Sequence, residues 1–222
     1  MQDFQAIIFD FDGVLLESEF EGNRMLAELL TDLGHRHSVE EAFKHYAGLS
    51  GQQFIDAIEE RIGAPLPPEF HEQTRARAAE ALRDGIEAVA GAVDFVLGLP
   101  VVLPKAVASS SSTRWIRTHL DHLGLAEAFG GHVYSGREHV ERGKPAPDIY
   151  LYAAGQLCVS ITDCVILEDS EVGATGALAS GARVIGLAAG RHCLDGHAVA
   201  LRALGVKEVA GSFDEVRELL GL

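Results

Sequence analysis

The chain opens with a short apolar run that ends in acids. Residues 4–9 read FQAIIF, and Asp10, Phe11, Asp12 and Gly13 follow directly. A short apolar run bounded by turn residues is typical of a buried strand. In an open α/β sheet, ligands bind at the carboxyl ends of the strands, and side chains two residues apart share one face. We therefore predict a central strand that presents Asp10 and Asp12 to a common crevice.

The next stretch carries apolar positions at helical spacing in four successive stripes. Ser38 and Glu41 have the spacing of a capping box, which marks a helix start. The stripes contain Met25, Leu26, Leu29, Leu30 and Leu33; Phe43, Tyr46 and Ala47; Phe54, Ile55, Ile58 and Ile62; and the segment 69–83. Because no strand-like run lies between the stripes, residues 17–84 are predicted to form an all-helical insert.

From Ile86 onward, strand-like and helical patterns alternate. Strands are predicted at 101–109, 132–134, 163–167 and 183–187, helices at 113–123, 148–156 and 171–180, and a helix, a strand and a helix in the tail up to Leu219. Such alternation favours a parallel sheet with helices on both faces. We therefore predict a doubly wound α/β core domain of residues 1–16 and 85–222, with residues 17–84 as a small helical domain inserted after strand one.

Charge and composition narrow the possible partners. The 222 residues carry a formal net charge of −15 with a pI near 5.0. Nucleic acids and anionic membranes bind basic surfaces, so we expect neither as a partner.

The apolar stretch at 95–108 is broken by Pro100, Pro104 and Lys105, which excludes a spanning helix there. No basic region followed by an apolar run opens the chain, so a cytoplasmic protein is expected.

Cysteines and histidines give no sign of a metal site in the sequence. The three cysteines are odd in number and lack paired ligand spacing, which predicts reduced, partly buried thiols without a disulfide framework or zinc. Surface positions are expected for His35, His37, His45, His119, His122, His192 and His197. No carboxylate or cysteine set completes a transition-metal site around them.

Two later segments carry groups that suit an anion. The predicted strand 101–109 runs into Ser109 and Ser110 just before a helix, and a hydroxyl with backbone N–H groups at a helix start can hold phosphate oxygens. Ser111 and Ser112 are expected only to cap that helix. Further on, Lys144 stands between a glycine and two prolines that restrict the backbone, so its ammonium offers a fixed positive charge.

A further strand end carries adjacent acids. The run CVIL at 164–167 leads into Glu168, Asp169 and Ser170 and then into a helix. Two neighbouring carboxylates repel one another unless a cation is present, and oxygen ligands together with a phosphate suit Mg²⁺. A favourable charge at the start of the following helix accounts for one of these acids but leaves the other unexplained.

In their order along the chain, these segments resemble the four motifs of the haloacid dehalogenase-like superfamily. The matching residues are Asp10-x-Asp12-Gly13-Val14, Ser109 at a strand end, Gly143-Lys144-Pro145-x-Pro147-Asp148 and Glu168-Asp169-Ser170-x-x-Gly173. The resemblance covers the whole predicted core. It implies a Mg²⁺-dependent phosphatase acting on a small phosphorylated metabolite, a sugar or sugar-acid phosphate. We expect a monomer or weak homo-oligomer.

The resemblance also implies a role for each matching residue. Asp10 would attack phosphorus and form an aspartyl-phosphate, and Asp12 would serve as general acid and base. Ser109, the Ser110 amide and Lys144 would bind the phosphate. Mg²⁺ would be held by Asp10, Glu168, Asp169 and the backbone carbonyl of Asp12. The helical insert would be a cap that selects the substrate, with the loop 47–52, Arg24, Lys44 and Gln53 as candidate contacts.

Within the superfamily, the chain looks closest to the β-phosphoglucomutase-like branch and its sugar-phosphate phosphatases, including those resembling 6-phosphogluconate phosphatase. Phe20 and Glu21 stand where the mutases usually carry a histidine, and Gly51 stands where their cap loop carries an arginine. These departures favour hydrolysis. A phosphomutase, and a non-catalytic protein that binds a phosphorylated ligand, remain alternatives. Asp12 disfavours dehalogenase activity, while Lys44 leaves a phosphonatase with a Schiff-base lysine open.

Overall fold

The computed structural model describes residues 4–46, 49 and 51–222. The chain divides into two compact units. One contains the residues up to Glu17 together with Ile86–Leu222, and the other is Ser18–Gly85. The second unit is therefore an insertion in the sequence of the first.

The inserted unit is built from helices in the part that the structure describes. They are α1 (Ser18–Asp32), α2 (Val39–Tyr46), α3 (Gly51–Ile62) and α4 (Pro68–Asp84). The capping box at the start of α2 is formed as predicted, because Ser38 N donates to Glu41 Oε2 at 3.0 Å and Glu41 N donates to Ser38 Oγ at 3.2 Å. Leucines of α1 pack with Ile58 and Phe70 into one apolar cluster, which explains the helical spacing of the stripes.

The larger unit contains a six-stranded parallel sheet. Its strands are β1 (Ala6–Phe9), β2 (Lys105–Ser109), β3 (Val133–Ser135), β4 (Cys164–Glu168), β5 (Arg183–Leu187) and β6 (Glu208–Ala210). They lie in the order β3-β2-β1-β4-β5-β6, and every neighbouring pair is parallel. This is the strand order of a doubly wound fold. The predicted α/β class is confirmed.

Seven helices and a short 3₁₀ turn accompany the sheet in the described residues of this unit. They are α5 (Ala92–Gly98), α6 (Thr113–His122), α7 (Ala126–Phe129), α8 (Asp148–Gln156), α9 (Glu171–Ser180), α10 (His197–Ala203), α11 (Phe213–Leu220) and the 3₁₀ turn Ile161–Asp163. Among all described residues, none of the helices combines the length and the apolar character that crossing a bilayer demands.

The central strand β1 is buried on both faces, which explains its continuous apolar sequence. Ile7 and Phe9 belong to the cluster on one face, and Ala6 and Ile8 to the cluster on the other. On the first face, the Phe9 ring meets Phe129 edge-on with centroids 5.5 Å apart. This strand therefore fixes Asp10, the next residue, at the middle of the sheet.

One predicted strand is too long and two short helices were not foreseen. Val101 and Val102 favour a strand by residue type, yet they are 95% and 90% exposed in a turn, and β2 begins only at Lys105. The proline at 104 lacks the N–H that a sheet ladder needs, which explains the late start. Helices α5 and α7 are only seven and four residues long, too short to give a clear apolar period.

Candidate active site

The parallel register of the adjacent strands β2, β1 and β4 gathers polar side chains at the carboxyl ends of these strands, which we call the carboxyl edge of the sheet. Phe9 pairs with Val107 on β2 and with Leu167 on β4, so the residues that follow these positions meet. Asp10 N donates to Leu167 O at 2.9 Å. Asp10, Ser109 and Glu168 are all buried there.

Lys144 brings a positive charge into this acidic edge. Its Nζ donates to Asp10 Oδ1 at 2.5 Å and to Glu168 Oε2 at 2.8 Å, and its side chain is only 5% exposed. The ammonium also lies 5.0 Å from the centre of the Tyr150 ring. A lysine this deeply buried needs charged partners, and the two carboxylates supply them.

Glu168 is held by more partners than the sequence reveals. Its Oε2 accepts from Tyr150 Oη at 2.5 Å as well as from Lys144. Its Oε1 accepts from the Ser170 amide at 3.1 Å and from Ser170 Oγ at 2.7 Å. Tyr150, on α8, was not foreseen, because no local pattern links it to an acid 18 residues later.

The surroundings raise the pKa of Asp10 and of Lys144 and lower the pKa of Glu168. Burial, and next the charge of Glu168, raise the pKa of Asp10 well above its usual value, although Lys144 opposes this. Burial would also raise the pKa of Glu168, but Lys144 and the hydrogen bonds from Lys144, Tyr150 and Ser170 hold it below its usual value. Burial disfavours the charged form of Lys144, yet Asp10 and Glu168 raise its pKa well above the ordinary range.

Asp169 is paired with two histidines that were expected at the surface. His192 Nε2 lies 2.8 Å from Asp169 Oδ2, and His197 Nε2 lies 2.8 Å from the Asp169 carbonyl oxygen. Both histidines are partly buried, and His119 is fully buried beside Trp115, so the surface expectation is wrong for all three. The contacts of His192 and His197 with Asp169 join distant segments and leave no mark in the local sequence.

The carboxylate of Asp12 lies against the start of α6. Its Oδ2 accepts from Ser109 Oγ at 3.2 Å and Ser111 Oγ at 2.6 Å, and its Oδ1 accepts from Trp115 Nε1 at 3.0 Å. The expectation that Ser111 only caps the helix is wrong. Ser112 is the N-cap, since its side chain accepts from the Trp115 amide at 3.3 Å.

Serines 109 and 110 differ in their surroundings. Ser109 Oγ accepts from the Ser111 amide at 2.9 Å and so joins the turn before α6 to the strand end. Ser110 is exposed beside it. The predicted phosphate-binding role of both residues stays a prediction.

Two glycines of the predicted motifs make room for acids. Gly13 has a φ of +83°, and a Cβ there would lie 2.1 Å from Asp169 Oδ2. A Cβ at Gly173, on α9, would lie 2.1 Å from Cδ of Glu168 and 2.2 Å from both of its carboxylate oxygens. Any side chain at either position would have to displace the acid beside it.

Replacing Gly173 with alanine is expected to destabilise the fold. Alanine favours a helix, but its methyl group would push Glu168 away from Lys144 and Tyr150, so we expect a loss of about 2–3 kcal/mol in chemical denaturation. The matched control is Gly155→Ala on α8, where a Cβ meets no atom within 4 Å. We expect the control to be neutral or stabilising. Equal stability of the two variants would contradict the packing argument.

The donor set at this edge fits Mg²⁺. Oxygens of Asp10, Glu168 and Asp169 lie within 4.8 Å of one another, and all three residues are buried. Three carboxylates face one ammonium, so negative charge is in excess, and oxygen donors are those that Mg²⁺ prefers. The Asp12 carboxylate accepts from Ser111 and Trp115 instead, and the metal role of the Asp12 backbone carbonyl stays a prediction.

A parallel sheet in doubly wound order, with acids and a buried lysine at the carboxyl ends of its strands, places charged groups where such α/β folds bind their ligands. The family model for haloacid dehalogenase-like hydrolases matches residues 4–181. The chain therefore belongs to the haloacid dehalogenase-like hydrolases, which confirms the resemblance drawn from the sequence.

Curated relatives and solved structures agree with this assignment. Fructose-1-phosphate phosphatase YqaB of Escherichia coli is 31% identical over 80% of this chain and 93% of its own length. The 6-phosphogluconate phosphatase of the same organism is 26% identical over 86% of each chain. The crystal structure of a family hydrolase from Deinococcus radiodurans, with bound phosphate and sodium, has a TM-score of 0.89 and 31% identity over 100% of this chain and 96% of that chain.

Proposed function

We propose that this chain is a Mg²⁺-dependent phosphomonoesterase that hydrolyses a small sugar or sugar-acid phosphate through an aspartyl-phosphate on Asp10. The observation that carries the proposal is the buried Lys144 ammonium, which bonds to Asp10 and Glu168 at the carboxyl ends of β1 and β4. A fixed cation beside a buried carboxylate is the pairing that phosphoryl transfer to that carboxylate requires.

Asp10 would act as the nucleophile. One carboxylate oxygen of Asp10 attacks phosphorus, the bond from phosphorus to the leaving oxygen breaks, and the departing oxygen takes a proton from Asp12. Water then attacks the aspartyl-phosphate and gives its proton to Asp12, which releases phosphate and restores Asp10. Mg²⁺, held by Asp10, Glu168, Asp169 and the Asp12 carbonyl, would offset the charge on the phosphoryl oxygens when bound.

Phosphate oxygens would be bound by residues on both sides of Asp10. Lys144 Nζ contributes charge, and Ser109 Oγ with the Ser110 amide contributes hydrogen-bond donors before α6. Ser109 Oγ donates its one hydrogen to Asp12 Oδ2 at 3.2 Å, so donation to a phosphate oxygen would require this hydroxyl to turn from Asp12 to the phosphate.

Trp115 would position Asp12 for proton transfer. Replacing Trp115 with phenylalanine keeps an aromatic ring beside His119 but removes the donor to Asp12 Oδ1. Since hydrogen bonds to charged groups contribute about 1.5–3 kcal/mol, we expect kcat on a sugar phosphate to fall by about tenfold or more, with little change in KM. A nitrophenyl phosphate, whose leaving group needs no proton, should show a much smaller loss. Equal losses on the two substrates would contradict the positioning role.

We propose residues 17–84 as the cap that selects the substrate. Lys44 and Gln53 are exposed on α2 and α3 and are the remaining candidate contacts. Arg24 is a weaker candidate, because its guanidinium pairs with Glu21 at 2.8 Å and Glu28 at 2.5 Å. Of the candidate loop 47–52, residues 47, 48 and 50 lie outside the described residues.

The substrate class rests on the relatives. Two phosphatases that act on fructose 1-phosphate and on 6-phosphogluconate cover at least 80% of this chain. Both names describe a phosphate ester on a small polyhydroxylated carbon chain. We therefore propose a substrate of this kind rather than a phosphoprotein or a nucleic acid, in keeping with the net charge of −15.

The test is inorganic phosphate release from a panel of hexose phosphates, phosphogluconate, phosphoglycolate and nucleoside monophosphates, with Mg²⁺ or with EDTA. We expect release from sugar or sugar-acid phosphates with Mg²⁺ and its loss with EDTA, recovered when Mg²⁺ is restored. Interconversion of hexose 1- and 6-phosphates without phosphate release would instead identify a phosphomutase. Saturable binding of a sugar phosphate with neither reaction would identify a ligand-binding protein.

A further inference from the structure

A group of soft metal ligands lies beside Asp169, on the loop between β5 and α10. His192, Cys193 and His197 offer ligand atoms that all lie within 4.8 Å of one another. Cys193 Sγ is 3.3 Å from His192 Nε2, and the rings of His192 and His197 are nearly perpendicular with centroids 5.6 Å apart. Two ligands on one tetrahedral zinc ion, one sulfur and one nitrogen, are separated by about 3.6 Å.

The loop that carries these ligands is fixed by buried contacts of its own. The Arg191 amide donates to both carboxylate oxygens of the buried Glu17, at 3.1 and 3.2 Å. Cys193 N donates to Gly190 O at 2.9 Å, and His197 begins α10. The three ligand residues are partly buried rather than sealed, so an ion can reach them. The backbone that carries the ligands is therefore held in place before any ion arrives, which lowers the cost of binding.

We propose that His192, Cys193 and His197 form a binding site for a divalent transition metal such as Zn²⁺, next to the carboxylate cluster but with its own set of ligands. Two imidazoles and a thiol form a donor set that favours Zn²⁺ or Co²⁺ and offers little to Mg²⁺. The carboxylate cluster offers only oxygen ligands, and these favour Mg²⁺. One chain would thus hold a hard and a soft divalent site side by side.

The soft site is coupled to the acidic one through Asp169. His192 and His197 use their Nε2 atoms to bond to the side chain and carbonyl of Asp169. A metal bound through those atoms would replace these hydrogen bonds and release Asp169 from its present position. Occupancy of the soft site should therefore inhibit the phosphatase. This consequence, unlike binding itself, rests on the proposed function.

The protonated Cys193 thiol lowers the affinity of the site for a metal ion. Burial, and next the charge of Asp169, raise the pKa of Cys193 to about 12, so the metal must displace a proton to bind sulfur. In the absence of metal the residue is then a neutral thiol.

The test is titration of the full chain with Co²⁺ in the presence of excess Mg²⁺, followed by near-ultraviolet absorbance. Sulfur bonded to Co²⁺ gives a charge-transfer band, and we expect a single equivalent to produce it. Cys193→Ser should abolish the band, and His197→Gln should weaken the apparent affinity by about tenfold or more, since even outer-shell partners cost that much. The matched control is Cys158→Ser, an exposed cysteine, which should leave the band unchanged.

No band, or a band that survives Cys193→Ser, would overturn the proposal. This readout needs no turnover, so it stands apart from any failure of the proposed phosphatase activity.

The coupling is tested by adding Zn²⁺ to the Mg²⁺-saturated enzyme. Wild type should be inhibited at Zn²⁺ concentrations that leave Cys193→Ser active. Equal inhibition of both would place the effect at the carboxylate cluster and contradict coupling through Asp169.

Discussion

Replacing Asp10 with asparagine is expected to abolish phosphate release while leaving the fold intact. Asparagine keeps the shape of the side chain but has no nucleophilic oxygen, so we expect a loss of about 10⁴-fold or more, the scale seen when other enzymes lose their nucleophile. Lys144 keeps Glu168 as a partner at 2.8 Å in the variant, so the buried ammonium stays paired. The measurement is phosphate release from the best substrate of the panel.

The thermal stability of Asp10→Asn shows whether the loss of activity comes from lost chemistry or from unfolding. The pKa of Asp10 is raised in the folded chain by burial and by Glu168, so Asp10 stabilises the fold below its unfolded pKa and loses that contribution as the pH rises through the folded value. Asparagine is neutral at every pH. Without metal, the variant should therefore melt at or above the wild-type temperature near neutral pH, with a smaller difference in acid.

The matched control for Asp10→Asn is Asp94→Asn, an exposed acid on α5 of the same unit. It should keep both activity and melting temperature. Substantial phosphate release by Asp10→Asn, with Mg²⁺ present, would refute an aspartyl-phosphate on Asp10 and shift the nucleophile to water or another residue.

Replacing Lys144 with methionine is expected to remove both activity and much of the stability. Methionine fills a similar volume but leaves Asp10 and Glu168 buried without their cation. Breaking a buried ion pair by removing one partner costs about 3–5 kcal/mol, which is a large part of a typical domain's stability. Chemical denaturation near neutral pH measures the loss, and phosphate release measures the activity.

The pH dependence of the Lys144→Met variant gives a second check. Without the ammonium, the two carboxylates hold protons more tightly when folded than when unfolded, so stability should recover as the pH is lowered. The matched control is Lys207→Met, an exposed lysine, which should change stability by less than about 0.5 kcal/mol. If the loss of unfolding free energy in Lys144→Met grew as the pH was lowered, the result would contradict the ion-pair explanation.

Local patterns were sufficient to predict the sheet and the acids at its edge. A strand buried on both faces reads as a continuous apolar run, and β1 and β4 each end directly before or at an acid. Because parallel strands end at one edge, Asp10 and Glu168 were expected to lie close together, and Lys144 bridges them. The helices α8 and α9 were predicted with their observed bounds, since caps or prolines mark their starts.

Contacts between distant segments could not be read from the sequence. Trp115 reaches Asp12 across 103 residues, and Tyr150 reaches Glu168 across 18. In a helix, such residues are indistinguishable from ordinary core aromatics, because their spacing reports which face is buried and not which atom lies opposite. His192 was assigned to the surface for the same reason, since its partner Asp169 belongs to another loop.

The position of β1 in the sheet has a consequence for how the protein is made. This strand is synthesised before the other five, yet it lies between β2 and β4, and Ile7 pairs with Val165. Until the ribosome has released β4, one edge of the most apolar strand has no partner and remains open to other chains. Chains that terminate early should therefore aggregate rather than accumulate as partly active enzyme, and synthesis of the segment around Glu168 marks the point after which the nascent core can close.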